Sequence, residues 1–342
     1  MGKETRCAPA VRIKQRRDWL VPLVAPTVLG ATLLVLLVLG LFGLYDGGSA
    51  QARPTRAVLL AAGDIANCES RGDRATAKLL DSISGTVLAL GDLAYPDGTA
   101  EAYDECYDRT WGRFKDRTKP VPGNHDYMTP GAAGYFDYFS GTSARPSAPV
   151  PNTRENPGLT PGKGYYSYDR GAWHIVALNS QCQSVRGGCD PISPMLTWLE
   201  KDLAAHPAQC TLAYWHKPLF TGGYNGNYAA VRPIWNVLYA AHADVVLNGH
   251  DHFYERFARQ TPRGSRSKRG IREFVVGTGG ESHAKVRTIP ANNQVLNPHT
   301  YGVLKLTLYR SSYDWKFVPA GDKTFTDSGN TPCHNQGGSQ KD

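Results

Sequence analysis

Residues 57–68 read AVLLAAGDIANC, a short aliphatic run that ends abruptly at a glycine and a carboxylate. Six apolar residues followed by a glycine are typical of a buried strand. Two similar segments follow, at residues 86–90 and 119–122, and segments with helical spacing separate the three, at residues 73–82 and 101–114. This alternation predicts a parallel sheet with crossover helices at the start of the fold.

The rest of the chain continues the pattern and then becomes rich in strands. The predicted elements are a hairpin at residues 164–178, helices at 194–205 and 229–241, strands at 211–215 and 243–247, and antiparallel strands at 273–276, 302–309 and 315–318. The predicted fold class is therefore α/β (α+β), with two packed mixed β-sheets flanked by helices.

The first 52 residues have the composition of a targeting segment. Residues 1–18 carry six basic and two acidic side chains, and an apolar run follows at residues 19–45. That run is long enough to span a bilayer, which needs about 20 residues. Ala50-Gln51-Ala52 offers the small-x-small pattern that a signal peptidase cuts after. We expect either cleavage there or retention as an N-terminal membrane anchor, with one exported domain over residues 53–342.

The charge of the chain is only mildly informative about its partners. The formal net charge is +8, but residues 1–52 hold six basic and three acidic side chains, which leaves +5 for the rest. A solvated basic face explains that excess, and attraction of anionic substrates is the alternative. Arg16-Arg17 resembles a twin-arginine export signal, although an ordinary basic flank is equally consistent with it.

Six cysteines fall within residues 53–342, and an even number in an exported domain predicts disulfides. They are Cys68, Cys106, Cys182, Cys189, Cys210 and Cys333. Spacing proposes only the pair Cys182 and Cys189, which would close a short Gly-rich loop. Since no Cys-x-x-Cys pair occurs, a zinc site built from thiolates is not expected.

Polar side chains follow five predicted strands, each just past the carboxyl end of the strand. They are Asp64; Asp92 and Tyr95; Asn124, His125 and Asp126; His216; and His250, Asp251 and His252. In an open α/β sheet, ligands bind at this edge. Carboxylates, an amide, imidazoles and a phenol suit iron, manganese or zinc. Each residue alone is explained by a turn or a structural histidine, but five in order predict a site for two metal ions.

At these residues the chain resembles the calcineurin-like metallophosphoesterases and, among them, the purple acid phosphatases. The superfamily pattern Asp-x-His is broken at Ala66, but the purple acid phosphatases replace that histidine by a tyrosine three residues after the bridging aspartate. Gly91-Asp92-Leu93-Ala94-Tyr95 matches that signature. The resemblance implies a four-layer αββα sandwich. It implies a first metal held by Asp64, Asp92, Tyr95 and His252, and a second held by Asp92, Asn124, His216 and His250.

The resemblance also implies a chemistry. A phenolate favours Fe(III) at the Tyr95 site, and the second site suits Zn(II), Fe(II) or Mn(II). We expect hydrolysis of a small phosphate ester by metal-activated water attacking in line at phosphorus, as in a phosphomonoesterase of the acid phosphatase type. A phosphodiesterase acting on nucleotides, phospholipids or wall polymers is the alternative. Lys217 stands where relatives often have a polar aromatic residue or histidine, which leaves the substrate contacts there open.

Roles beyond the ligands are expected for three neighbours. His125 either contacts phosphate and protonates the leaving group or serves as a structural partner of a ligand. Asp126 and Asp251 are expected to orient the residues around them rather than to catalyse.

Several other features have a plain and a functional interpretation. Arg71-Gly72-Asp73 would make the chain a surface binding module, but chance at a helix start explains it better. The basic residues 263–272 are expected to form a mobile solvated loop, with steering of phosphate esters as the alternative. The aromatic clusters at 134–139 and 164–168 either pack under loops or line the rim of a pocket. Nothing indicates specific recognition of nucleic acid.

Overall fold

The computed structural model describes residues 56–140 and 162–334. The predicted export segment lies outside the described residues, so its cleavage or retention stays a prediction. Within the described ranges, no helix is both long enough and apolar enough to span a bilayer.

The described residues form thirteen strands and five α-helices. In chain order the strands are β1 (Ala57–Ala62), β2 (Thr86–Leu90), β3 (Thr118–Val121), β4 (Tyr166–Arg170), β5 (Trp173–Ala177), β6 (Cys210–Tyr214), β7 (Val245–Asn248), β8 (Tyr254–Phe257), β9 (Arg272–Val276), β10 (Asn293–Asn297), β11 (Gly302–Leu308), β12 (Ser312–Pro319) and β13 (Ser328–Pro332). The helices are α1 (Gly72–Ser82), α2 (Ala100–Ala102), α3 (Ala133–Ser140), α4 (Pro194–Ala205) and α5 (Arg232–Ala240).

The strands make two mixed sheets, as the sequence predicts. The first has six strands in the order β13-β12-β11-β1-β2-β3, and the second has seven in the order β10-β8-β9-β7-β6-β5-β4. The strands β1, β2 and β3 run parallel, and so do β5, β6, β7 and β9. The carboxyl ends of each parallel set therefore meet at one edge of its sheet.

Apolar side chains hold the layers together on both faces of the central strands. The larger hydrophobic cluster joins the two sheets and includes Leu60, Leu212 and Phe136 of α3. A second cluster lies between the other face of the seven-stranded sheet and helices α4 and α5, and it includes Ala213 and Trp235. Adjacent residues of β6 thus point to different clusters, as the alternation of a strand requires. Helices cover both outer faces, which explains why these strands read as continuous apolar runs.

Two predicted elements differ from the structure. The helix expected at residues 101–114 is instead α2, a π-helical turn at Tyr103–Tyr107 and a 3₁₀ segment at Gly112–Arg117. Tertiary bonds constrain this stretch, because Cys106 is linked to Cys68 and the hydroxyl of Tyr103 donates to buried Asp126. The closing strands are not all antiparallel as predicted, because β9 pairs parallel to β7.

Three disulfides cross-link the described chain. The predicted pair Cys182–Cys189 is confirmed, and the other two bonds join Cys68 to Cys106 and Cys210 to Cys333. Spacing could not find these last two pairs, since their partners are 38 and 123 residues apart. Disulfides of this number are typical of proteins in oxidising compartments.

Candidate metal centre

Three of the predicted ligands occupy strained turns at the ends of strands. Asp64 after β1, Asp92 after β2 and His250 after β7 have φ angles of 58°, 52° and 77°. A left-handed backbone costs a residue other than glycine roughly 1–3 kcal/mol, and such residues cluster at functional sites. The left-handed backbone conformation turns these residues into the space where the carboxyl edges of the two sheets meet.

Glycines let these strand ends come close together. A Cβ atom on Gly123, just after β3, would lie 2.1 Å from Oδ1 of Asp92. A Cβ on Gly91 would lie 2.7 Å from the ring of His216. Neither distance is compatible with a side chain, so glycine at these positions is a condition for assembling the centre.

The first group of ligands surrounds the phenol of Tyr95. Its hydroxyl oxygen lies 3.1 Å from Oδ1 of Asp64, 3.2 Å from Oδ2 of Asp92 and 3.2 Å from Nε2 of His252. Nε2 of His252 is also 3.3 Å from Oδ1 of Asp64. The structure thus places together the four residues expected at the first metal.

The second group surrounds the imidazole of His216. Its Nε2 lies 3.1 Å from Oδ2 of Asp92, 3.2 Å from Oδ1 of Asn124 and 3.2 Å from Nδ1 of His250. The same oxygen of Asp92 therefore touches both groups. This is the position expected of a carboxylate that bridges two ions.

The donor set of the second group fits a cation better than it fits hydrogen bonds. Nδ1 of His216 lies 2.9 Å from the carbonyl oxygen of Leu90 and therefore carries a proton. In the neutral ring, Nε2 then presents a lone pair to a carboxylate, an amide oxygen and another imidazole nitrogen. Two ligands about 2.1 Å from one ion and at right angles to each other lie about 3.0 Å apart, close to the separations observed.

The electrostatics of the protein atoms alone also call for positive charge. Burial raises the pKa of Tyr95 well above its ordinary value, and the charges of Asp92 and Asp64 raise it further. Burial lowers the pKa of His216, but the charge and hydrogen bond of Asp92, the charge of Asp64 and the hydrogen bond to Leu90 together outweigh it and bring that pKa to about 9. A bound cation would replace the proton that His216 otherwise takes up.

The carboxylate of Glu281, which sequence reasoning missed, supports the first group. Its Oε2 lies 2.9 Å from Nδ1 of His252, and the hydroxyl of Ser282 lies 2.8 Å from the same nitrogen. These contacts fix the orientation of the ring and leave Nε2 for a metal. The signal was present in the sequence, because polar residues also follow β9, a sixth strand that ends at the same edge.

Asp126 fixes the two loops that carry the shared carboxylate. It is fully buried and accepts hydrogen bonds from the backbone N–H groups of Asp92 and Gly123 and from the hydroxyl of Tyr103. Burial raises its pKa to about 6, and the charge of Asp92 acts in the same direction. Asp251 similarly accepts a hydrogen bond of 2.6 Å from the hydroxyl of Thr221. Both residues orient their surroundings.

His125 lies at the edge of the centre. Its backbone N–H donates to Oδ1 of Asp92 at 2.7 Å, and its ring packs against Tyr95 with centroids 4.4 Å apart. Nδ1 lies 2.5 Å from the carbonyl oxygen of Pro96, so this nitrogen is a donor and Nε2 is the one free to meet a substrate. The contacts are compatible with both roles predicted for this residue.

Two features with functional alternatives have structural explanations. Gly72 and Asp73 are buried at the start of α1, so the Arg-Gly-Asp sequence is not displayed as an adhesion motif would be. Residues 134–139 lie in α3, where Tyr135, Phe136 and Phe139 are buried in the larger cluster. The aromatic run is therefore packing, not a pocket rim.

Comparison with known proteins defines the class of protein. The family model described as "Calcineurin-like phosphoesterase" matches residues 52–254, which include all seven predicted ligand positions. The chain belongs to the calcineurin-like phosphoesterase family.

Individual relatives support that placement. Purple acid phosphatase 23 of Arabidopsis thaliana is 29% identical over 202 residues, covering 55% of this chain and 41% of the relative. Fe(3+)-Zn(2+) purple acid phosphatase 12 of the same species is 29% identical over 193 residues, covering 51% and 37%. The chain thus spans about two fifths of the length of these relatives. The structure of purple acid phosphatase PPD1 from yellow lupin (Lupinus luteus) shares the fold, with a TM-score of 0.64 at 18% identity, over 82% of this chain and 54% of that one.

Proposed function

We propose that this protein is a metal-dependent phosphomonoesterase of the acid phosphatase type with a dinuclear metal centre. The observation that carries the proposal is the oxygen Oδ2 of Asp92, which lies 3.2 Å from the Tyr95 hydroxyl and 3.1 Å from Nε2 of His216. One buried carboxylate joining two groups of electron-pair donors is the arrangement that two neighbouring cations require.

The proposed ligand sets are those expected from the sequence. The first ion would be held by Asp64, Asp92, Tyr95 and His252, and the second by Asp92, Asn124, His216 and His250. We propose Fe(III) for the first, because a phenolate is a hard anionic donor, and Zn(II), Fe(II) or Mn(II) for the second. When bound, two such ions supply an activated water and neutralise charge on the phosphoryl group.

The protein's own residues have the task of positioning. Asp126 holds the backbone of Asp92, which carries the bridging carboxylate, and Glu281 holds the ring of His252. These contacts preorganise the proposed ligands. Nε2 of His125 is proposed to contact the phosphate or to give a proton to the leaving group. The substrate would be a small phosphate ester.

We further propose that residues 53–342 are the catalytic domain and that they act outside the cytoplasm. The three disulfides support this location, because such bonds persist mainly in oxidising compartments. The role of residues 1–52 in export, by cleavage or as an anchor, is part of the same proposal and rests on their composition.

The test is hydrolysis of p-nitrophenyl phosphate by the purified protein before and after chelation, together with metal analysis. We expect two metal ions per chain, loss of activity on chelation and recovery when iron and zinc are restored. A visible charge-transfer band should accompany Fe(III) at the first site, and Tyr95→Phe should abolish it. Tyr309→Phe is the matched control, since the hydroxyl of that phenol donates to Asp314, which is not a proposed ligand.

The result also separates the alternative activities. A higher rate on bis(p-nitrophenyl) phosphate than on the monoester would replace the proposed monoesterase by a phosphodiesterase that uses the same centre. Full activity without the visible band would replace Fe(III) by manganese or zinc. A protein that contains metal but hydrolyses neither ester would refute the proposed function.

A further inference from the structure

A second charged region lies in the segment after β8. Residues 259–272 contain six basic side chains and no acidic one. They are Arg259, Arg263, Arg266, Lys268, Arg269 and Arg272. The sequence alone suggested a mobile solvated loop, but the structure gives this segment a defined conformation.

Hydrogen bonds within the segment and to its neighbours hold that conformation. Gln260 pairs with Ile271 through reciprocal backbone bonds of 3.0 and 2.9 Å, and the N–H of Ser267 donates to the carbonyl of Arg259 at 3.0 Å. The side-chain amide of Asn292, in the loop before β10, donates to the backbone carbonyl of Gly264 and to Oε1 of Gln260. The basic side chains therefore project from a fixed backbone.

Four of the basic side chains line one surface cavity of about 560 Å³. They are Arg259, Arg266, Lys268 and Arg272, and the polar residues Gln294 and Thr331 complete the wall. No carboxylate is among the residues that line it. A volume of this size is in the range of small-molecule sites.

The guanidinium groups of Arg259 and Arg272 are held in place by hydrogen bonds, but not all of their N–H groups have a partner among the described residues. Arg272 donates from Nη1 to Gln294 at 3.0 Å and lies over the ring of Trp315 at 4.8 Å. Arg259 donates from Nη1 to the carbonyl of Lys268 at 3.4 Å. Within the described part of the chain, Nε of each arginine is buried without a hydrogen-bond partner. Both arginines are half-buried, so part of their positive charge is shielded from water and would be stabilised by an anion in the cavity.

The cavity is separate from the metal centre. Arg272 begins β9 and pairs with Val245 at the start of β7, whereas His250 follows the other end of β7. The intervening strand of four or five residues spans roughly 13–16 Å at about 3.3 Å per residue. A ligand in the cavity would therefore not occupy the place of the ester that the metal centre cleaves.

We propose that this cavity, lined by Arg259, Arg266, Lys268 and Arg272, is a second binding site for an oxyanion of the phosphate or sulfate class that carries several negative charges. Arginine and lysine are the usual donors to such groups, and four cations in a lining that contains no carboxylate match a polyanion better than a single monoanion. The anion is bound and not transformed, because no histidine, cysteine or carboxylate lines the cavity to activate a hydroxyl group or to hold a metal ion.

The test is calorimetric binding of myo-inositol hexasulfate, a polyanion without a phosphate ester, to the full-length protein and to an Arg266→Gln/Lys268→Gln variant. Both side chains are exposed, so this variant should fold and keep its phosphoesterase rate. We expect wild-type binding to weaken at least about tenfold between about 50 and 300 mM NaCl, because the electrostatic screening length becomes shorter as ionic strength rises. We expect the variant to bind at least about tenfold more weakly than wild type.

The matched control is Lys201→Gln/Lys316→Gln, which removes the same charge from exposed positions of α4 and β12. It should bind the hexasulfate as wild type does. Equal weakening in both variants would mean that net charge alone attracts the anion, and it would overturn the proposal. Unchanged binding in the Arg266/Lys268 variant, or no binding by wild type, would overturn it as well.

A second arm identifies the source of the anion. Vesicles of phosphatidylcholine and phosphatidylglycerol are compared with vesicles of phosphatidylcholine alone, using the same two variants. Binding to the anionic vesicles that is lost only in the Arg266/Lys268 variant would assign the site to a lipid headgroup. Binding of hexasulfate without binding of vesicles would assign it to a soluble anion.

Discussion

The two edges of the seven-stranded sheet are built from opposite kinds of polar group. At the carboxyl edge, His216 and His250 meet carboxylates of the first sheet, and the site is rich in electron pairs. At the amino edge, Arg259 and Arg272 surround a cavity that no carboxylate lines. One edge is suited to cations and the other to anions, although the same strands end at both.

The contrast shows that an edge acquires its charge from residues at or beyond the ends of the strands, such as Arg272 at the start of β9, and not from the strand interiors. The strands β6 and β7 are buried along their whole length and carry almost only apolar residues. Each edge can therefore be changed without disturbing the other, provided that the core stays intact. The predictions below test that independence, from the largest expected effect to the smallest.

Removal of the shared carboxylate should have the largest effect. Asp92→Asn keeps the shape of the side chain but removes the charge that faces both ligand groups. Loss of a hydrogen-bond partner of a metal ligand costs roughly 10–100-fold, so loss of a bridging ligand should cost at least about a thousandfold in kcat/KM. Metal analysis should show that both ions are depleted.

The matched control for this change is Asp97→Asn, five positions along the same loop and half-exposed. It should keep activity and metal within about twofold. Binding of hexasulfate at the amino edge should be unaffected in both variants. If Asp92→Asn retained two ions per chain and most of its activity, the shared carboxylate would not be a ligand.

The carboxyl edge was largely predictable from the sequence, and the amino edge was not. Proposed ligands such as Asp64 and Asp92 follow closely after aliphatic runs, so the order of the strands alone places them at one edge. The cavity at the other edge combines Arg259 with Gln294 and Thr331, which are distant in sequence. No local pattern reports such a combination, because it depends on how β10 and β13 pair at the ends of the sheets.

The same distinction applies to the fold itself. The aliphatic strands and the helix at Pro194–Ala205 have strong periodicity and were found at or near their bounds. The short polar strands β10 and β13 have none, and tertiary pairing decides their conformation. Glu281 follows β9, whose sequence predicts an antiparallel strand ending at the opposite edge, whereas in the structure β9 runs parallel to β7 and ends beside the other proposed ligands.

The disulfides Cys210–Cys333 and Cys182–Cys189 should differ in their contribution to stability. The bond Cys210–Cys333 near the amino edge closes a separation of 123 residues, whereas Cys182–Cys189 closes one of 7. The chain-entropy model gives about 5 and about 2.5 kcal/mol for the two bonds. Replacing each pair by alanine and measuring unfolding in urea should therefore show a difference of about 2.5 kcal/mol.

Activity provides the control for that comparison. Both alanine pairs should keep metal and kcat in the absence of denaturant, because neither bond contains a proposed ligand. Equal destabilisation by the two changes, or a larger effect of the short loop, would show that strain in the folded state outweighs chain entropy.

Glu281→Gln should weaken the carboxyl edge by a moderate amount. Glutamine keeps an acceptor near Nδ1 of His252 but removes the negative charge. We expect activity to fall about 10–100-fold, with preferential loss of the ion at the Tyr95 site and of its visible band. Glu69→Gln, on the exposed start of the neighbouring loop, should change nothing. An unchanged band with lower activity would assign Glu281 to substrate and not to His252.

The smallest expected effect concerns pH and the amino edge, where two buried groups have shifted pKa values of opposite sign. Burial raises the pKa of Asp244 from 3.8 to about 6, and burial together with the charge of Arg259 lowers that of His334 from 6.5 to about 4. As pH falls from about 6.5 to 4, the folded state gains a proton at Asp244 before the unfolded state does, which stabilises it. At His334 the unfolded state gains the proton first, which destabilises the fold, so the two contributions oppose each other.

Single substitutions should expose each contribution in turn. Relative to wild type, Asp244→Asn should lose stability as pH falls through this window, and His334→Gln should gain it. Each slope should stay below about 1.4 kcal/mol per pH unit. Urea unfolding midpoints at several pH values measure both slopes. The substitutions leave the metal ligands intact, so the pH profile of phosphoesterase activity should stay unchanged. Slopes of the same sign would mean that Asp244 and His334 titrate as one coupled pair, and a shifted activity profile would mean that the two edges are not independent.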